Sequence, residues 1–422
     1  MVLHLLIALP LLRTLAVACL AGFLACAIPR ASLHIRLLAA FTAAVAGWSI
    51  AAGGNWDPVR SGLESGLIFG AFIPTIMLLR STADESPLLA ATRSRMGGWS
   101  DGQRELWVQT VSHLLGSFLM IGGFVIARSA LPTQIPEPQR IRLAQSAVLG
   151  LGLAVCWSPF FVSSAVASQL VPSVPAWQLV VLGFGMAALG WTLSWLFFFR
   201  GPAGADMAAV FRGCLAFALP SAVLVALVIA VSLATGLRNL EAVVLLVPVL
   251  CIGYLATLGG PSLRRALGRV PATLSRLSDE VVVITMAMFL GAVVAGSGAG
   301  KGLAQLFAGL AGLPPLLIFG EVALIAAAGY AGVHPMITTI LLLPVLAGVN
   351  RGIADLVLAY IVVFAWVLSS LTAIWTLPVA SAATSFDVPV RRLALGRNLR
   401  FMLAFGLCGC VALAALNRVI MN

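Results

Sequence analysis

Two ionisable residues of this sequence lie in one apolar stretch, 315–348, where a charged side chain is costly. His334 directly precedes Pro335, and Glu321 lies one to two turns into the stretch. Such residues usually bind an ion, carry a proton or pair with another charge. His334 could titrate or donate to an anion, and Glu321 could carry a proton. The structural alternatives are that His334 bonds a carbonyl freed by a helix break and that Glu321 pairs with an arginine.

Proline interrupts two apolar stretches near their centres, and hydroxyl residues lie close by. Pro159 interrupts 144–172, and Pro335 interrupts 315–348. A proline removes one backbone donor and disrupts the carbonyl one turn earlier, so each stretch is predicted to break. Hydroxyl groups beside a break can bond a substrate, although in membrane helices they often bond their own preceding carbonyls. The hydroxyl residues concerned are Ser158, Ser163, Ser164, Thr338 and Thr339.

The composition indicates which elements position these residues. Hydrophobic residues make up 61% of the 422 and charged residues 9%, which is too little charge to cover a soluble domain. Apolar runs of about 20 residues recur along the chain, and each could cross the hydrocarbon core as a helix. The predicted fold class is therefore all-α integral membrane. The candidate spans are 5–28, 34–52, 60–80, 109–131, 177–199, 212–235, 240–258, 281–299, 354–376 and 398–420.

The placement of the arginines predicts the topology. The net charge is +11, but the arginines lie between apolar runs and not on one face, so nucleic acid is not an expected partner. The first run contains Arg13 and no convincing cleavage site, and it is predicted to be a retained span. The chain is predicted to be a multi-pass protein of the bacterial inner membrane. The arginine-rich loops predicted to be cytoplasmic are 29–36, 80–108, 200–212, 259–280 and 386–400.

The two interrupted stretches indicate an internal duplication. A shift of 176 residues places Pro159 on Pro335 and Ser163 on Thr339, and it also places candidate spans on candidate spans. About 10–11 transmembrane helices in two structural repeats are therefore expected. The predicted divisions are an N-terminal span at 1–33, a first repeat at 34–209, a second repeat at 210–397 and a C-terminal span at 398–422.

Duplicated halves that each contain a broken helix are typical of secondary transporters. Backbone groups exposed at membrane depth are tolerated only where protein or a watery cavity covers them. Helix ends in such a place offer N–H groups to anions and carbonyls to cations. Because acidic residues are scarce at both tips, the pattern favours a small anion over a cation.

Two segments resemble the paired re-entrant hairpins of the ion transporter superfamily: Trp157-Ser158-Pro159-Phe160-Phe161-Val162-Ser163-Ser164 and Gly332-Val333-His334-Pro335-Met336-Ile337-Thr338-Thr339. That superfamily includes divalent anion/sodium symporters, gluconate permeases and the large membrane subunit of tripartite carboxylate transporters. The resemblance implies one re-entrant helical hairpin in each repeat, at 144–172 and 315–348. It also implies an unwound span that completes the site, and Ser369 and Ser370 precede Trp375-Thr376-Leu377-Pro378, which is similar to that span.

The resemblance implies a secondary transporter of a small organic anion, a carboxylate by analogy. The symporter branch has Ser-Asn-Thr at each tip, where this sequence has Ser158-Pro159-Phe160 and His334-Pro335-Met336. The missing asparagines favour proton coupling through His334 and Glu321, or uncoupled passage, over sodium coupling. Counting spans places both hairpins on one side, and a miscounted crossing, with 302–313 as the suspect, would restore the opposite sides that inverted repeats need. The predicted substrate ligands are Ser158, Ser163, Ser164, His334, Thr338, Thr339, Ser369 and Ser370.

Other classes of protein remain as alternatives. One is a channel-like protein or a membrane subunit of a larger complex, and another is an intramembrane enzyme. The sequence contains no Walker loop, HExxH or GxSxG motif and no metal-ligand spacing of cysteine and histidine. Catalytic activity, a cofactor and a metal are therefore not expected. Membrane lipid is an expected partner, and a homodimer is left open.

Overall fold

The computed structural model of the chain describes residues 10–51, 56–86, 99–132, 134–198, 207–276, 278–296, 305, 312–349 and 352–422. All regular secondary structure in these ranges is helical. The first helices are α1 (Pro10–Ala27), α2 (Leu33–Ala51), α3 (Asp57–Asp84), α4 (Asp101–Leu119), α5 (Gly122–Ser129), α6 (Glu137–Val155), α7 (Val162–Leu170), α8 (Ala176–Phe198) and α9 (Met207–Thr235). The others are α10 (Asn239–Leu258), α11 (Gly260–Arg276), α12 (Ser278–Gly296), α13 (Pro314–Tyr330), α14 (Pro335–Val349), α15 (Asp355–Thr372), α16 (Leu377–Phe386), α17 (Val390–Leu395) and α18 (Arg397–Met421).

Seven stretches of helix among the described residues are long and apolar enough to cross a membrane, so the chain is a multi-pass membrane protein. Seven is fewer than the ten or eleven spans predicted. Part of α2 and the whole of α13 form shorter apolar helices. The seven stretches are Pro10–Arg30, Asp57–Asp84, Ala176–Phe197, Ala218–Thr235, Asn239–Leu258, Asp355–Phe386 and Arg397–Met421.

The predicted span at 109–131 is wrong as a single helix. The helix α4 ends at Leu119, and Met120 adopts a φ of 54°, a left-handed value that a helix cannot continue. The chain then reverses, because a Cβ placed on Gly123 in α5 would lie 3.2 Å from the backbone nitrogen of Gly116 in α4. The suspected crossing at 302–313 lies almost entirely outside the described residues, as do the first residues of the span at 5–28.

The chain divides into two compact units. Unit 1 consists of Met1–Thr82, Leu240–Leu317 and Met336–Ile353, and unit 2 consists of Ala83–Asn239, Ile318–Pro335 and Ala354–Asn422. Unit 1 thus contains α1–α3, α10–α12 and α14, and unit 2 contains α4–α9, most of α13 and α15–α18. Each unit draws on both halves of the sequence.

Unit 1 is held together by apolar side chains and by close helix contacts. Its buried core joins α1, α2, α3 and α12 through residues that include Leu24, Ile35 and Val282. Small residues let helices approach closely in a membrane. A Cβ on Gly62 in α3 would lie only 2.7 Å from the Cα of Phe289 in α12, so glycine is required where these two helices touch.

The ionisable residues of unit 1 that lie near its apolar runs are paired. Arg13 in α1 forms an ion pair with Glu64 in α3, and the guanidinium of Arg60 donates to the same carboxylate at 3.0 Å. The side chain of Ser32 donates to the carboxylate of Asp279 at 3.1 Å. These contacts give Arg13 and Glu64 a structural role in joining α1 to α3.

Candidate functional site

The two ends of unit 2 are defined by polar contacts. At one end, which we call the basic end, the guanidinium of Arg142 lies 2.6 Å from the carboxylate of Glu105, and that of Arg392 lies 2.8 Å from Glu137. Burial raises the pKa of the Glu105 carboxyl above its usual range, and the hydrogen bond and charge of Arg142 oppose that rise. The end is thus a set of partly buried ion pairs between helix termini.

The opposite end, which we call the Asp355 end, is also fixed by hydrogen bonds. Ser173 donates to the carboxylate of Asp355 at 2.6 Å, and the amide of Ala354 donates to Asn417 at 2.7 Å. The long helix α18 reaches this end at Asn417 and begins at the basic end, where Arg397 lies beside Glu105.

The first interrupted stretch runs from one end of unit 2 to the other. Glu137, at the start of α6, belongs to the basic end, and Ser173, just after α7, belongs to the Asp355 end. The predicted hairpin at 144–172 is therefore corrected to a broken helix that crosses the unit. The chain reverses earlier instead, because Gln139 donates to Asp101 at 2.6 Å, so α4 and α5 leave the basic end and return to it.

The first break consists of residues 156–161, between α6 and α7, and all six residues are buried. The amides of Trp157 and Ser158 both donate to the carbonyl of Ala154, at 3.2 and 3.0 Å, and so close the last turn of α6. Pro159 has no amide proton to continue the helix. The predicted interruption at Pro159 is confirmed.

Side chains from other helices satisfy the carbonyls of the first break. The hydroxyl of Tyr360 in α15 donates to the carbonyl of Cys156 at 3.0 Å. The amide of Asn239 donates to the carbonyl of Pro159 at 3.4 Å. An unsatisfied buried carbonyl costs about 1–3 kcal/mol, so these contacts stabilise the break substantially.

Two of the predicted substrate ligands also bond the backbone here. The hydroxyl of Ser158 donates to the carbonyl of Ser117 and accepts from the amide of Phe160 at 3.2 Å. The hydroxyl of Ser164 donates to the carbonyl of Ser158 at 2.9 Å. Both protons are used within the protein, so a substrate could reach these hydroxyls only through their lone pairs.

A buried histidine is fixed in one tautomer beside the first break. The indole N–H of Trp157 donates to Nε2 of His113 at 3.1 Å, which requires that nitrogen to be unprotonated. Nδ1 of His113 lies 3.2 Å from the carbonyl of Gly150 and therefore carries the proton and donates. Both ring nitrogens are occupied, so His113 joins α4, α6 and the break as a neutral group.

One hydroxyl at the first break has no partner among the described residues. Ser163 lies in the first turn of α7, is 1% exposed, and its Oγ makes no hydrogen bond. The first α-helical bond of α7 runs from the amide of Ala165 to the carbonyl of Phe161, so the preceding N–H groups have no intrahelical acceptor. Ser163 is therefore the predicted ligand of this break whose hydroxyl is uncommitted.

The second break consists of residues 331–334, and glycine encodes it as much as proline does. The amide of Val333 donates to Ala328 at 2.9 Å and that of Gly332 to Gly329 at 3.1 Å, the two bonds of a Schellman motif. Gly332 has a φ of 96°, which favours glycine. Pro335 then starts α14, a position that proline favours. The interruption predicted at Pro335 is confirmed, and it lies just before that residue.

The second break is more exposed than the first. Ala331, Gly332 and Val333 are exposed, with Val333 at 42%, and His334 is half-buried. The ring of His334 lies edge-on to that of Trp366 in α15, with 5.3 Å between the ring centroids. A Cβ on Gly332 would lie 3.6 Å from the ring of Trp375, which is 70% exposed.

The predicted unwound span following the second stretch is also interrupted. The helix α15 ends at Thr372 and α16 begins at Leu377. Ser369 and Ser370 are buried near this interruption, and the hydroxyl of Ser369 donates to Ala365 one turn earlier at 3.1 Å. A Cβ on Gly329 would lie 2.8 Å from that of Ser369, so the end of α13 packs directly on this part of α15.

Glu321 is a buried carboxyl group in α13. Its side chain is 3% exposed, and neither carboxylate oxygen has a hydrogen-bond partner among the described residues. The arginine partner that a structural role would require is not among its described contacts. Leaving a carboxylate charged in such surroundings is costly, so the group favours the protonated form or a transient partner.

The structure places the predicted site residues in both units. Unit 2 contains Ser158, Ser163, Ser164, Glu321, His334, Ser369 and Ser370. Unit 1 contains Thr338 and Thr339, both in α14. Thr338 is half-buried, and Thr339 is fully buried with no partner for its hydroxyl in the described part of the chain.

Sequence reasoning missed three residues that shape the breaks. Tyr360 and Asn239 cap carbonyls of the first break, and Gly332 forms the turn of the second. Gly332 could have been recognised, because a glycine shortly before a proline is a helix-stop signal. Tyr360 carries no such signal, because its partner Cys156 is 204 residues away in sequence.

The sequence matches no protein-family model. A comparison with curated proteins finds no significant match. Within the described ranges, no three His, Cys, Asp or Glu side chains lie close enough together to hold a metal ion.

Proposed function

We propose that this chain is a secondary transporter that moves a small organic anion across the bacterial inner membrane with a proton as the coupling ion. The observation that carries the proposal is a coincidence of buried polar groups. Ser163 and Thr339 are 176 residues apart, as are Gln145 and Glu321. All four residues are buried, and each has a side-chain oxygen without a partner among the described residues.

The helix bounds support the same shift. Moved by 176 residues, α6 covers 313–331, and α13 is Pro314–Tyr330. The moved α7 covers 338–346, within α14, and the moved α8 covers 352–374, against Asp355–Thr372 for α15. In this proposal each half contributes one interrupted element, as in the duplicated transporters.

The chemistry of the breaks favours an anion. A helix that starts inside the membrane presents unpaired N–H groups and the positive end of its dipole. Both α7 and α14 start at such breaks, and neither of the two breaks, 156–161 and 331–334, contains an acidic residue. Ser163 beside the first helix start and His334 beside the second are the proposed ligands for the anion, with a carboxylate as the substrate class implied by the family resemblance.

The second stretch is the proposed re-entrant element. A Cβ on Gly352 would lie 2.9 Å from Cγ of Pro314, so the chain that leaves at α13 returns to its starting point after α14. This stretch also contains Glu321 and His334, the two proposed proton carriers. Substrate binding and proton binding would then share one element, which is a simple basis for coupling.

The first experiment identifies the substrate. Purified protein in detergent is heated with carboxylates, inorganic oxyanions and neutral solutes, and an anion that raises Tm is then tested for counterflow in proteoliposomes. We expect saturable uptake of a carboxylate that does not depend on sodium. Uptake that rises linearly with concentration would indicate a channel-like protein instead, and the absence of any ligand-induced shift and uptake would contradict the transporter assignment.

A further inference from the structure

The helix α11 is an amphipathic helix between two apolar helices of unit 1. Sequence reasoning treated 259–280 as a cytoplasmic loop. Gly259 adopts a φ of 99°, a left-handed turn that ends α10 and allows α11 to take a new direction. The amide of Leu263 donates to the carbonyl of Gly259 at 3.3 Å, which fixes the start of the new helix. Because α10 is long enough to cross a membrane, α11 begins where a crossing ends.

One face of α11 is apolar. Leu263, Ala266 and Val270 recur at the helical spacing of three to four residues, and Ala266 is fully buried against the unit. Leu267 flanks this face and is 44% exposed. The helix therefore rests on the protein along one side and leaves a large apolar side chain at the edge of that contact.

The rest of α11 carries positive charge. Arg264, Arg265 and Arg269 are exposed, and residues 260–276 include no aspartate or glutamate. At 100° per residue, Arg265 and Arg269 lie on the side opposite Leu263 and Val270, and Arg264 lies beside Leu267. A basic helix with an apolar edge is typical of segments that lie in the membrane interface.

We propose that α11 binds anionic phospholipid headgroups of the cytoplasmic leaflet through Arg264, Arg265 and Arg269. The headgroup phosphates supply the negative charge that 260–276 does not contain, and Leu267 lies where it can enter the acyl-chain boundary. Arginine binds phosphate with paired, charge-assisted hydrogen bonds. The cytoplasmic leaflet is the anionic one, and its attraction is worth about 1 kcal/mol per basic residue near the surface.

The experiment uses the purified, delipidated full-length protein in a neutral detergent. Phosphatidylglycerol or phosphatidylcholine is added, and both Tm and the lipid retained in native mass spectra are measured. Wild-type protein should retain phosphatidylglycerol and show a larger rise in Tm with it than with phosphatidylcholine. The triple variant Arg264→Gln, Arg265→Gln, Arg269→Gln should lose more than half of that difference, and the triple lysine variant should keep most of it.

A matched control removes three exposed arginines elsewhere: Arg391→Gln, Arg400→Gln and Arg418→Gln. It has the same net charge as the glutamine triple, and it should keep the preference for phosphatidylglycerol. An equal loss in both glutamine triples would overturn the assignment to α11. A Tm rise with inorganic phosphate equal to that with phosphatidylglycerol would show a free-anion site and overturn the lipid assignment. If the glutamine triple does not fold, loss of the preference in the lysine triple would overturn it.

Discussion

The two breaks resemble each other in sequence and differ in structure. Both combine a proline with nearby hydroxyl residues, and both interrupt an apolar helix. The first break is wholly buried, and side chains of other helices donate to its carbonyls. The second is bounded by a glycine turn and is largely exposed.

The difference separates stability from function. At the first break, most polar groups are bonded within the protein, so it serves mainly as a joint between α6 and α7. At the second, His334 is half-buried, and the same stretch contains the unpartnered carboxyl of Glu321. Conformational change draws on segments with few internal bonds. The second break is therefore the element expected to respond to substrate and protons.

The largest expected effect is at the tightest contact of the first break. A Cβ on Gly183 in α8 would lie 2.6 Å from the Cα of Trp157. Gly183→Ala forces the backbone of the break to move, and overpacking of this kind costs about 3 kcal/mol. The change should lower Tm by several degrees in a thermal unfolding assay. Gly185→Ala is the control, because no atom lies within 4 Å of its added Cβ, and equal losses would refute the tight joint.

The next effect compares two tyrosines. Tyr360→Phe leaves the buried carbonyl of Cys156 without its donor and should cost about 1–3 kcal/mol. Tyr330→Phe, at the exposed end of α13, should change stability little, because that side chain is 41% exposed. The Tm of the two variants is compared in the same detergent. Similar values would mean that the first break is no more tightly bonded than the second.

A smaller effect is expected at the glycine turn of the second break. Gly332→Ala places a side chain in the left-handed region, at a cost of about 1–2 kcal/mol. Gly320→Ala, in the same helix and with open space around its Cβ, should be neutral or stabilising, because alanine is the better helix former. Transport should fall in the first variant and persist in the second. Unchanged Tm and transport in Gly332→Ala would show that the turn is not needed.

The smallest effect on stability is expected at Ser163. Its hydroxyl has no partner, so Ser163→Ala should leave Tm nearly unchanged, whereas Ser164→Ala should lose about 1 kcal/mol with its hydrogen bond to Ser158. If Ser163 binds the anion, its variant should nevertheless raise the KM for transport. An unchanged KM would remove Ser163 from the proposed ligands.

Much of the fold could be predicted from hydropathy. Nine of the ten candidate spans coincide with one described helix each, because a long apolar run has few other ways to satisfy its backbone in lipid. The reversal at Met120 was missed because it depends on a tertiary contact between Gly123 and Gly116 inside an uninterrupted apolar run. The helix α11 was missed because its charge suggested a loop.

The candidate site could be predicted only in part. Proline marked both interruptions, but direction after a break depends on which helices receive the chain. Nothing near Pro159 indicates that α7 continues toward Asp355, whereas the contact of Gly352 with Pro314 brings the second stretch back. The commitments of Ser158 and Ser164 to carbonyls likewise depend on contacts that sequence spacing alone does not specify.

The most direct test of the central claim is accumulation of the identified anion in proteoliposomes, driven by an imposed pH gradient. Wild-type protein should concentrate the anion above its external level. Glu321→Gln should fold equally well, because the replaced carboxyl has no partner, and should still exchange the anion while failing to accumulate it. The control Glu137→Gln makes the same chemical change at an exposed ion pair and should accumulate the anion normally. Full accumulation by Glu321→Gln would contradict proton coupling through this residue.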